Sequence, residues 1–123
     1  MPTLLLFNVA ARKHAALQVI ALRCGCRVQP VRPQQYGTAL RQILSGETAD
    51  SAPAQPFAEE LLVMDGLSER QMDMVLTELR RRRVPIALKA VVTPTNASWT
   101  PQALYEELCR EREAFAAGRQ AHT

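Results

Sequence analysis

The sequence predicts an α/β domain of three layers, with a mostly parallel four-stranded sheet between helices. Three observations carry that prediction. From Glu60 to Leu108 the chain twice writes a short apolar run, a turn and a capped helix. Ahead of that stretch lies another apolar run of strand length, Thr3 to Val9, followed by a segment with helical spacing. The 123 residues suffice for one domain, 1–123, with a core that needs no metal or disulfide.

Each element follows from its residues. Thr3 to Val9 is continuously apolar, as buried central strands are. Ala10 to Cys24 places Leu17, Ile20, Ala21 and Cys24 on one helical stripe, which Val19 and Leu22 would widen, and Gly25 suits the left-handed residue that ends a helix. Arg27 to Val31 alternates as a short strand, and Pro30 confines it to a sheet edge. Gln34 to Ser45 reads as a second helix with Tyr36, Leu40, Ile43 and Leu44 on one side. Residues 47–56 are small and polar with two prolines, so a mobile loop is expected there.

The second half is more sharply punctuated. Leu61 to Met64 is a strand. Ser68 and Gln71 form a capping box, with Leu67 and Met72 as its hydrophobic staple. The helix that follows buries Met72, Val75, Leu76 and Leu79 and ends in Arg80 to Arg83, cations at the negative end of the helix dipole. Ile86 to Val92 is the fourth strand. Thr100 caps the last helix, Pro101 fits its first turn, and Leu104, Leu108 and Phe115 form its inner stripe. A frayed tail is expected over residues 118–123. Parallel pairing in the order 2-1-3-4, with helices on both faces, is the simplest assembly and would make a short flavodoxin-like domain.

Bulk properties narrow the class. No apolar run approaches the roughly 18 residues of a membrane span, and the apolar N-terminus lacks a basic leader, so a cytoplasmic protein away from membranes is expected. Cys24, Cys26 and Cys109 are an odd set, expected to stay reduced. The net charge of +3 is uneven: Arg12, Lys13, Arg23, Arg27, Arg32 and Arg41 precede the first acid, Glu47. These cations are scattered, and the chain has few aromatics to stack bases, so no nucleic acid is expected as a partner. Cys24-Gly25-Cys26 is too short for a zinc half-site, and no metal or cofactor is expected.

The run Leu61 to Ser68, then Leu88 to Asn96, Trp99-Thr100 and Leu104 to Leu108, resembles the bacterial "domain of unknown function 3783" family. The resemblance is close over residues 60–113 and looser before them, at Val28 to Val31, Tyr36 and Leu44-Ser45-Gly46. It implies a small bacterial cytosolic protein and lends no catalytic residue.

Candidate site residues are the polar groups on or just after apolar strands. These are Asn8, Asp65, Lys89, Thr93, Thr95 and Asn96, with Trp99 beyond them. In a parallel sheet, Asn8, Asp65 and Thr93 would share one rim beside the free amides of the last helix, where an anion could sit. Each residue also has a structural role open to it. Asp65 can cap its turn, Lys89 can snorkel from an edge strand, and Thr93 and Asn96 can tie up loop backbone. Two functions are open. One is a non-catalytic binding or regulatory domain engaging a protein partner or small anion at the carboxyl edge of the sheet. The other is a small enzyme using Lys89 and Asp65 with the Thr93–Asn96 loop. Titratable groups are too dispersed for a familiar active site, which favours the first.

Overall fold

A computed structural model describes residues 1–47 and 51–121. Strands β1 (Thr3–Phe7), β2 (Arg27–Val31), β3 (Leu61–Asp65) and β4 (Leu88–Val91) form one sheet in the order β2-β1-β3-β4. Helices α1 (Ala11–Cys24) and α3 (Glu69–Arg81) cover one face, over Leu4, Leu6, Leu62 and Met64. Helices α2 (Leu40–Leu44) and α4 (Pro101–Ala121) cover the other, over Leu5, Phe7, Leu61 and Val63. The alternation of side chains along each strand therefore feeds two separate cores. All five residues of β1 and the first four of β3 are buried, as their unbroken apolar runs require. The proline-containing β2 lies at a sheet edge, where its missing amide costs nothing.

The sheet is mostly parallel, with one exception that matters. β1 pairs in parallel with β2, and β3 with β4, but β1 and β3 run antiparallel, with Leu5 opposite Val63. An all-parallel order would require the chain to recross a whole face before β3. Instead it returns beside the end of β1. There the Asn8 amide donates to the carbonyls of Phe57 and Glu59, directly ahead of β3. The domain is thus two βαβ units related by an approximate twofold axis normal to the sheet: α1 matches α3, and α2 matches α4. Hydrogen bonds repeat across that axis. Leu40 N donates to the Trp99 carbonyl, and Gln102 N donates to the Tyr36 carbonyl.

Several local expectations are met. Gly25 adopts φ 73°, its amide closing α1 on Ala21 and Leu22. Ser68 and Gln71 make the reciprocal capping box, with Gln71 N donating to Ser68 Oγ at 3.1 Å and Ser68 N to Gln71 Oε1 at 2.9 Å. Ser68→Ala is expected to cost about 1 kcal/mol; a urea midpoint equal to that of the unmodified protein would show the cap is idle.

Other expectations are corrected. The second helix is a 3-10 turn (Pro33–Gln35) and then α2, not one helix from Gln34 to Ser45. At Gly37 a Cβ would stand 1.9 Å from the Ser51 carbonyl oxygen, so the chain there passes too close to its neighbour for a continuous helix of ordinary residues. Val19 and Leu22 do not widen the α1 stripe; they are exposed. Phe115 is also largely exposed, because α4 by then has run past the sheet-facing Leu104 and Leu108. α4 continues through Gly118 to Ala121; residues 122–123 of the expected tail lie outside the described residues. So do residues 48–50 of the expected loop, beside which Ser51 N donates to the Gln34 carbonyl.

Candidate functional site

The antiparallel centre gives this sheet two carboxyl edges. Asn8 and the end of β2 lie on one; Asp65 and Thr93 lie on the other. The expected single rim is therefore split. Asn8 is separated from Asp65 by the full length of β1, since Asp65 pairs with Thr3.

At the β3–β4 edge the loop closes on itself. Thr93 N donates to Asn96 Oδ1 at 2.8 Å, Asn96 N to Thr93 Oγ1 at 3.1 Å, and Asn96 Nδ2 to the Val91 carbonyl at 3.0 Å. Asn96 is buried in that ring of bonds, Thr95 is exposed, and Trp99 packs against the core under α4. The first amides of α4 are engaged as well. Gln102 N reaches the Tyr36 carbonyl, Ala103 N reaches Thr100 Oγ1, and Leu104 N reaches the Thr100 carbonyl. No donors are left there for the anion expected at that terminus.

Lys89 and Asp65 do not meet. Leu62 is opposite Lys89, so the two candidates stand three residues apart along neighbouring strands, roughly 10 Å at strand rise. They also point to opposite faces, because Lys89 shares the face of Leu62, and Asp65 that of Leu61 and Val63. Lys89 is exposed, and its ammonium donates to the Ile86 carbonyl at 3.1 Å.

The β1–β2 edge is richer, and most of it is not marked in the sequence. Lys13 is 8% exposed. Its ammonium pairs with the Glu60 carboxylate and donates to the Pro85 carbonyl at 2.6 Å. The other Glu60 oxygen accepts from Ala10 N at 2.8 Å. Burial would raise the Glu60 carboxyl pKa, but Lys13, the Ala10 amide and Arg12 together hold it below the usual carboxylate range. Alongside, Tyr36 is fully buried and donates to Asn8 Oδ1 at 2.9 Å. Its ring stacks on Phe57, which stacks on Tyr105. Tyr105 donates to Glu59, whose carboxyl Arg112 and that phenol hold below its ordinary range. Asn8 adopts φ 59°, a left-handed conformation that asparagine tolerates better than most residues. The signal for Lys13 was present: it precedes Leu17 by four on the buried stripe of α1.

A cavity of about 180 Å³ opens at this edge, lined by Asn8, Val9, His14, Arg32, Pro33 and Tyr36 among others. It adjoins the N-terminus of α1, which has no side-chain cap and no acid in its first turn. Arg12 and Lys13 occupy that turn instead, the wrong sign for the positive end of a helix dipole, and the Glu60 carboxylate answers Lys13 there. His14 Nε2 lies 3.0 Å from the Val9 carbonyl, which can only accept, so that nitrogen carries a proton.

Among the described residues no three His, Cys, Asp or Glu side chains converge, and no helix is long and apolar enough to cross a membrane. The three cysteines are unpaired, and burial raises the thiols of Cys24 and Cys26.

The fold places the molecule among α/β domains built from paired βαβ units. Residues 60–115, from the end of the loop before β3 into α4, match the family described as "Domain of unknown function (DUF3783)". That is the family whose resemblance residues 60–113 carry. No curated protein and no solved structure matches the chain.

Proposed function

We propose that this chain is a non-catalytic binding domain that takes a small anion at the carboxyl edge of β1 and β2. The cavity there is the observation that carries it. His14, Arg32, Asn8 and Tyr36 line it, beside the N-terminus of α1, whose first turn carries Arg12 and no acid. Parallel strand pairs commonly bind ligands just beyond their carboxyl ends, and β1–β2 is such a pair. At about 180 Å³ the space is below the range of roughly 300–1,000 Å³ used for drug-sized ligands, and fits a compact ion better. The enzyme alternative loses its support, because Lys89 and Asp65 face opposite sides of the sheet.

Inorganic phosphate is the test probe. In a titration followed by amide NMR, the largest shifts are expected at Asn8, His14 and Arg32. Arg32→Ala should weaken binding about tenfold, the loss of one charge-assisted contact. Shifts confined to the loop after β4, or none at millimolar phosphate, would sink the proposal.

A further inference from the structure

We propose that the groove beside the free edge of β4 docks an acidic, extended segment of a partner protein. It lies on a different part of the molecule from the anion cavity and shares no residue with it. A concave surface of about 570 Å³ runs between the end of α3 and β4, lined by Leu76, Leu79, Arg80, Arg83, Ile86 and Lys89 among others. Its floor is apolar: Leu79, Val84 and Ile86 are buried beneath it. Its rim is cationic, and among the described residues no carboxylate lines it.

The four-arginine run divides in two around this groove. Arg81 and Arg82 both pair with Glu78, at 3.4 and 3.0 Å. Arg80 reaches only the Thr77 hydroxyl, at 3.4 Å, and neither Arg83 nor Lys89 is in an ion pair among the described residues. Three of the cations nearest the β4 edge are thus left without internal counter-charge. Arg83 adds a second sign. It sits at φ 53°, a left-handed position just past the helix where glycine is the ordinary choice. A guanidinium stands there despite a backbone cost.

The edge itself offers main-chain groups. Among the described residues β4 pairs only with β3. Leu88 N and Val92 N donate inward, to the Glu60 and Met64 carbonyls. By alternation the backbone of Lys89 and Val91 faces outward, and of these groups the Val91 carbonyl is taken by Asn96. The Lys89 amide and carbonyl and the Val91 amide remain for an added strand. An extended segment that pairs there, with apolar side chains on the floor and carboxylates on the rim, satisfies every feature of the groove. A nucleic-acid strand satisfies fewer, because no aromatic residue lines it for bases to stack on.

The probe is a fluorescent peptide in which Glu and Leu take turns at every second position with Thr between them, so that an added strand presents both to the groove face. A Lys-Leu analogue that replaces each Glu by Lys and single-stranded DNA are the comparators, read by anisotropy on the full chain. The acidic peptide should bind, more weakly as salt rises, and shift the amides of Lys89 and Val91. Arg80→Glu combined with Lys89→Glu should weaken it at least about tenfold. Arg83→Gly relieves the backbone cost, so it should fold at least as stably yet bind the peptide less well. Equal binding of the Lys-Leu analogue, preference for DNA, no binding at millimolar peptide, or undiminished binding by the folded Arg83→Gly variant would each overturn the proposal.

Discussion

Glu60→Ala is expected to destabilise the protein by about 3 kcal/mol, the scale for stranding one partner of a largely buried ion pair. The side chains of Lys13 and Glu60 are 9% and 20% exposed. Without Glu60, the Lys13 ammonium keeps only the Pro85 carbonyl, and Ala10 N loses its acceptor at the start of α1. Two junctions fail together, because Lys13 stands on α1, Glu60 leads into β3 and Pro85 precedes β4. Lys13→Met with Glu60→Ala should recover much of the loss, since the stranded charge is then gone. Urea denaturation of the single and double variants measures this. Additive losses would mean that the two groups act independently. The pair also fixes an acid dependence. The Glu60 carboxyl is held below its ordinary 4.5 in the folded protein. Its contribution is therefore full above that pH and is lost as pH falls through the folded value. Glu59, also lowered, acts with the same sign.

Tyr36→Ala should cost about 4 kcal/mol, as large-to-small changes at fully buried aromatics do. The ring meets Phe7 edge-on at 5.5 Å and stacks on Phe57 at 4.7 Å between centroids. Tyr36→Phe keeps those contacts and removes only the hydrogen bond to Asn8, for about 1 kcal/mol. Alkali separates the two effects. Burial, partly opposed by Asn8, pushes the Tyr36 phenol from 10.0 up to about 12. A raised phenol stabilises the fold fully below pH 10 and loses that contribution as pH rises toward 12. Tyr105 is raised too, with Cys109 and the Glu59 carboxylate beside it. The alkaline loss should therefore shrink in Tyr36→Phe without vanishing. An unchanged alkaline profile in that variant would show the phenol to be in contact with water.

Periodicity and capping residues located most elements, because strands and helices are decided by neighbours in sequence. Ser68, Gln71, Gly25 and Pro30 each act within a few residues, and each is where its chemistry places it. The sense of the central strand pair is different. It rests on contacts such as Asn8 with Phe57 and Glu59, and Lys13 with Glu60, which join residues roughly fifty positions apart. Local pattern holds no record of them. The same gap separates the candidate residues. Whether Lys89 meets Asp65 depends on the register of Leu61 against Leu88 and on parity within each strand. The parity was countable; the register was not. The α4 terminus was misjudged for a related reason. Its free amides are answered by the Tyr36 carbonyl, from the other half of the chain.

That reciprocity has a consequence for how the molecule is assembled. Residues 60–115 hold the second βαβ unit and most of α4, while the first unit supplies the other side of β3. Taken alone, such a unit would expose β3 as a bare strand with five paired positions and uncover apolar side chains on both of its faces. The first half meets it as a subunit would, antiparallel and about a dyad. The junction has the architecture of a homodimer contact drawn into one polypeptide, with the segment before β3 as tether. Fusing the two units removes any dependence on concentration. It also lets the two differ, so that one has a cavity of about 180 Å³ at its carboxyl edge and the other seals its own with Thr93 and Asn96.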